Sequence, residues 1–336
     1  MAIDARDDLV FLRDLAPISA RTARWERIRY RDAHLLVQCF AEAMGAFLYC
    51  FCGIGSQAAN TLGTLSKVEG VGSVLQIGFA YSVGIMLAIT IAAPTSGGHF
   101  NPCVTIANVV FRGFPIRKAP FFILAQIFGA FVACMVIYLQ YRDVILELEA
   151  GLAAVGALDS VNFTQQGPAG IFGLYVPATS NLGIVFWNEF SCDFILGLAI
   201  WACIDPTNFF APPASVPFII GVTYATIIWG FSPVGLAANS ARDIGARIMV
   251  LCIWGTKASG GAYAAIAALT NIPAMLLAAA VYDYILRDTD RVVPCAQREF
   301  HAAIVAHEKR KVEGPESVMS SEDMEAPTII NREGKE

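Results

Sequence analysis

Long apolar runs separated by short polar breaks dominate the chain between residues 35 and 287. A helix needs about 20 mostly apolar residues to cross a bilayer. Six stretches meet that length, at about 35–57, 71–94, 118–140, 182–203, 214–234 and 262–286. None alternates polar and apolar residues as a strand would, and all are too long for barrel strands. The pattern therefore predicts an all-α membrane protein. The first run follows a polar segment and carries no cleavage site, so it reads as a span and not as a signal peptide.

Two further segments are apolar but too short to span. Residues 95–111 read TSGGHFNPCVTIANVVF and residues 235–254 read GLAANSARDIGARIMVLCIW. Each opens on small residues and an Asn, then continues as a helical run. They are candidate half-helices entering the membrane from opposite sides. The two halves of the chain then repeat one order of events: a helix with a buried acid, a second helix, a half-helix starting at Asn, a third helix. Glu42 precedes Asn101 in the first half, at about 35–140, and Glu189 precedes Asn239 in the second, at about 182–287. Three spans per half is an odd number, so the repeats must be inverted. Inverted repeats with broken helices place polar backbone at mid-membrane depth, where it is tolerated when it lines a cavity or is buried in protein. A pore or substrate path follows from this organisation alone.

Composition agrees. Hydrophobic residues make up 56% of the 336 and charged residues only 15%, against about a quarter in soluble domains. The formal net charge of −5 leaves no basic excess to hold nucleic acid. Nine scattered cysteines without a CxxC pair argue for free thiols over zinc or disulfides. The four histidines are spread too widely for a metal cluster or a nucleophile–base pair, so neither enzyme, metal nor cofactor is expected. Lys and Arg number seven in the first 34 residues, three between the second and third spans, and eight from Arg287 onward, against five on the opposite side. That bias places both termini in the cytosol. The domain reading is a cytosolic arm (1–34), a membrane domain (35–287) with a long extracellular connection at about 141–181, and a disordered cytosolic tail (288–336).

SGGHFNPCVTIA (96–107) and GLAANSARDIGAR (235–247) resemble the two signature loops of the aquaporin, or major intrinsic protein, family. The helix count, the acids Glu42 and Glu189, His99 two residues before Asn101, and Arg242 three after Asn239 belong to the same resemblance, which covers about 35–287. Asp243, Arg247 and Pro273 are similar to the glycerol-permeable branch, and the Asn-Pro-Cys and Asn-Ser-Ala variants to certain fungal members. The implied fold is six transmembrane helices and two re-entrant half-helices in an inverted-repeat hourglass. The implied assembly is a homotetramer with one pore per chain in a lipid membrane, the plasma membrane being the commonest choice.

The resemblance also implies roles. Asn101 and Asn239 would cap the half-helices at the pore centre, where the helix dipoles and amide donors repel cations and orient water; this is the general physical account of pores of this class. Cys103 and Ser240 replace the usual alanine and proline beside them, and a slightly looser junction is expected. Arg242 would form the constriction with Tyr81, Ile227 and Leu236, of which Ile227 depends on a register that Pro233 disturbs. Backbone carbonyls of Gly97, Gly98, His99, Leu236, Ala237 and Ala238 would replace solute hydration. Glu42 and Glu189 would brace the loops, with Asp193 one turn from Glu189. The function implied is passive passage of water and small neutral solutes such as glycerol. A water-selective channel, an ion-coupled secondary transporter and an occluded membrane scaffold remain open alternatives.

Overall fold

The computed structural model describes residues 10–313 except 17, 32 and 69. An N-terminal helix α1 (Ala20–Arg31) leads into α2 (His34–Leu65) and α3 (Val74–Ser96). The short helix α4 (Pro102–Phe111) and the long α5 (Ala119–Ala154) complete the first half. The second half runs through α6 (Leu182–Ile204), α7 (Val216–Phe231), the short α8 (Ser240–Trp254), and the pair α9 (Gly261–Leu269) and α10 (Asn271–Val281). A last helix, α11 (Cys295–Glu313), follows on the polar side. Among the described residues, six helical stretches are long and apolar enough to cross a membrane: α2, α3, α5, α6, α7 with its flanking turns, and α9–α10. The sixth is interrupted at Thr270 because Pro273 has no N–H to offer the carbonyl one turn earlier.

Apolar side chains such as Phe121, Leu124 and Phe128 on α5 recur at helical spacing and stay exposed, forming an outer surface suited to lipid. The inner faces pack closely enough for backbones to touch. A Cβ at Gly129 of α5 would lie 2.0 Å from the Ala43 carbonyl oxygen of α2, so only glycine permits this crossing.

Three boundaries differ from the hydropathy reading. Helix α2 continues to Leu65 and α5 to Ala154, so 141–154 is helix and the connection begins only at 155. The extension holds because Ile145 is fully buried and the Glu149 carboxylate accepts from Trp254 Nε1 at 2.6 Å. The remaining connection is packed: Ala169, Ile171 and Phe172 are fully buried, and Gln57 Nε2 donates to the Gly170 carbonyl at 2.9 Å. Finally, part of the expected disordered tail is helix α11; residues 314–336 lie outside the described residues.

Candidate functional site

Each half-helix begins at an Asn in extended backbone, preceded by a residue in the left-handed region. Phe100 has φ +50° and Ala238 φ +56°, costly for a side chain bearing Cβ. What holds each kink is an acid. Glu42 accepts from the N–H of His99 at 3.0 Å and of Phe100 at 2.7 Å; Glu189 accepts from the N–H of Ala237 at 2.8 Å and of Ala238 at 2.7 Å. The inverted repeat thus recurs bond for bond: the acid takes the two amides just before each Asn. Glu42 also accepts from Ser96 Oγ at 2.6 Å and Gln126 Nε2 at 2.7 Å.

The two Asn side chains lock the loops together. Asn101 Oδ1 accepts from Cys103 N at 3.2 Å, and Asn239 Oδ1 from Ala241 N at 2.9 Å and Arg242 N at 3.2 Å. Their amides cross over: Asn101 Nδ2 donates to the Ala238 carbonyl at 3.1 Å, and Asn239 Nδ2 to the Phe100 carbonyl at 2.9 Å. One of the two hydrogens on each Nδ2 is used in this way, and the Asn101 side chain also pairs with that of Tyr224.

A cavity of about 310 Å³ has walls that include Tyr81, Ile228, Leu236, Ala237, Ala238 and Arg242. Arg242 is 2% exposed. Its Nε donates to Tyr81 Oη at 3.2 Å and its Nη1 to the Phe172 carbonyl at 2.8 Å, while Nη2 has no partner. The Tyr81 hydroxyl reaches it because Gly53 leaves room for the ring: a Cβ there would sit 2.1 Å from Tyr81 carbons. Arg242 thus lines the cavity while one buried nitrogen of its guanidinium keeps an unspent donor close to it.

The profile of the family described as major intrinsic protein matches residues 29–256. The chain belongs to the major intrinsic protein family. It is 48% identical over 305 residues to "Aquaporin-3" of Laccaria bicolor, covering 90% of this chain and 92% of that one. It is 36% identical over 231 residues to the "Glycerol uptake facilitator protein" of Pseudomonas aeruginosa, covering 68% and 79%. Among solved structures, the aquaglyceroporin from Plasmodium falciparum superposes with a TM-score of 0.63 at 21% identity, covering 75% of this chain and 97% of that one, a likeness of fold. As a major intrinsic protein with six apolar helices, this is an integral, multi-pass membrane protein.

Within this family frame, several expected site residues take unexpected places. Ile227 is 3% exposed and off the cavity, and its neighbour Ile228 stands on the wall instead. The cause is the end of α7: a 3₁₀ turn at Ser232–Val234, containing Pro233, shifts the register counted back from Asn239. Ser240 is not loose. Its hydroxyl donates to Asn271 Oδ1 at 2.6 Å, a tether between α8 and the broken sixth span that proline could not make. Asp243 takes a hydrogen bond from Arg247 Nη2 at 2.9 Å, and the same nitrogen reaches the Leu174 carbonyl at 2.8 Å. This pair fastens the 155–181 connection, whose Phe172 carbonyl in turn holds Arg242. Cys103 is buried behind Asn101, and Asp193 is buried one turn from Glu189. Gly97 and Gly98 both have positive φ, and the His99 ring is packed by Phe114 and Phe122 at centroid distances of 4.8 and 5.4 Å.

Ile228, Asn271, Gln126 and the Phe172 carbonyl escaped the sequence reading. Pro233 signalled the Ile228 shift; a backbone carbonyl has no sequence signal at all.

Proposed function

We propose that this chain is a passive channel for water and small uncharged solutes, glycerol among them, acting by transport without catalysis. The observation that carries the reading is Arg242, which shares the cavity wall with Tyr81, Ile228 and Leu236 and keeps its Nη2 buried and unpartnered. A polyol has a CH side and an OH side. The aliphatic and aromatic walls suit the carbons, while Arg242 donates to the hydroxyls. An aquaporin and a glycerol uptake facilitator among the relatives support the same solutes. The side-chain amides of Asn101 and Asn239 donate to the solute oxygen, and the carbonyls of Gly97, Gly98, His99, Leu236, Ala237 and Ala238 accept from it. Cations are repelled by the guanidinium and by the two half-helix N-termini. Both termini face the cytosol, four copies assemble with separate pores, and the membrane is the plasma membrane.

The test is light scattering from proteoliposomes after an osmotic step, once with an impermeant solute and once with glycerol. Fast shrinkage followed by fast glycerol re-swelling is expected. Shrinkage without re-swelling would leave a water channel, and neither signal would leave an occluded scaffold. Arg242→Ala should admit larger or charged solutes.

A further inference from the structure

We infer that α1 and the groove beside it form a binding site for one anionic phospholipid on the side of the membrane that carries the termini. The inference rests on those termini being cytosolic, the face where anionic lipid is concentrated.

Helix α1 carries five arginines and a single acid, Glu26, in a chain whose net charge is −5, so its positive charge is local. Trp25 and Arg29 lie four residues apart and therefore share one face. Both border a groove of about 220 Å³ whose other wall is Phe40 and Met44 of α2 with Ile91 of α3. Phe40 and Ile91 are 65% and 56% exposed, so the groove opens sideways onto the outer apolar surface. Elsewhere on the helix Tyr30 packs edge-on against His307 of α11 at 6.0 Å, which braces α1 from the polar side.

The chemistry selects the occupant. An arginine whose guanidinium lies over the Tyr30 ring, and a Trp, both bordering a groove of Phe, Met and Ile, match a molecule with an anionic head and an apolar chain. Free phosphate would leave the apolar wall wet, and a zwitterionic lipid would bring a cation toward the arginines. Arg21, Arg24 and Arg27 add to the attraction, each by roughly fivefold in affinity at a membrane surface.

Native mass spectrometry of the full chain released from nanodiscs of equal phosphatidylserine and phosphatidylcholine tests this. Wild type should retain phosphatidylserine preferentially. Arg24→Gln with Arg29→Gln should cut that retention by more than tenfold, and Trp25→Ala should weaken it for both lipids, while Arg117→Gln changes nothing. Thermal unfolding in detergent checks that the variants fold. Equal retention of both lipids, or a preference that survives the double variant, would overturn the site. So would displacement of the lipid by excess inorganic phosphate, or a Trp25→Ala variant that alters oligomeric state without altering lipid retention, which would give the groove to a second copy.

Discussion

Glutamine at position 189 replaces one oxygen by an amide nitrogen at almost constant volume, and the geometry says what this costs. Glu189 Oε1 accepts from Ala238 N at 2.7 Å and from Ala237 N at 3.1 Å, and Oε2 accepts from Ala237 N at 2.8 Å. A glutamine oxygen placed at Oε1 keeps the Ala238 bond but loses its charge, and its NH2 then faces the Ala237 N–H, donor against donor. Hydrogen bonds to a charged partner contribute about 1.5–3 kcal/mol and neutral ones about 0.5–1.5. Losing one and weakening the other therefore costs roughly 2–4 kcal/mol. The left-handed conformation of Ala238 stores about 1–2 kcal/mol that Glu189 holds in place. Once that hold weakens, the kink relaxes and the Ala238 carbonyl leaves Asn101. Because each 1.4 kcal/mol is a factor of ten, Glu189→Gln should lower osmotic water flux per molecule by at least tenfold. Stopped-flow light scattering, normalised to reconstituted protein, measures this, and melting in detergent should fall in parallel. Glu42→Gln has four donors to satisfy and should lose at least as much. Unchanged flux and unchanged melting in Glu189→Gln would refute the view that this acid holds the loop.

Ile228→His should reduce glycerol flux more than water flux, whereas Ile227→His should lower melting temperature without changing the ratio; the reverse pattern would restore the register read from the sequence. Ser240→Ala strips the donor from the buried Asn271 Oδ1 and should cost about 1–3 kcal/mol of stability, and an unshifted melting curve would count against that tether. At the polar end of α6, burial raises the pKa of Asp205, but hydrogen bonds from the Thr207 N–H and hydroxyl and from the Tyr282 hydroxyl outweigh it and hold the carboxyl below its usual 3.8. A lowered folded value means the stabilisation is complete above the unfolded value and disappears as pH falls through the folded one. Melting of the wild type should therefore drop below about pH 4 more steeply than that of Asp205→Asn, and parallel curves would contradict this.

Hydropathy alone located the six spans and the two half-helices, because the apolar requirement of a membrane helix is local and additive along the chain. Charge bias and the doubled Glu-to-Asn order were equally legible, since each is a property of consecutive residues. The sequence also placed Glu42 and Glu189, and Asn101 and Asn239, in matching positions of two repeats, with Arg242 three residues after Asn239 in the second alone, from which their joint role could be reasoned. What the apolar pattern did not contain was the far end of α5, where residues 141–154, interrupted by four charged side chains, remain helical because Ile145 and Glu149 find partners distant in sequence.

Tertiary structure alone decided the finer geometry. Which isoleucine stands on the cavity wall depends on how α7 unwinds through Ser232–Val234, and one residue of rotation moves a side chain about 100° around the helix. The crossing of the two Asn amides onto the opposite loops, the Ser240–Asn271 tether and the Phe172 carbonyl on Arg242 all join residues tens of positions apart. Two of those three rest on backbone oxygens, which every residue possesses and no sequence distinguishes. The chain's order of residues therefore fixed what the protein is built from and which family it joins. The closure of the two inverted halves on each other decided where its polar atoms meet.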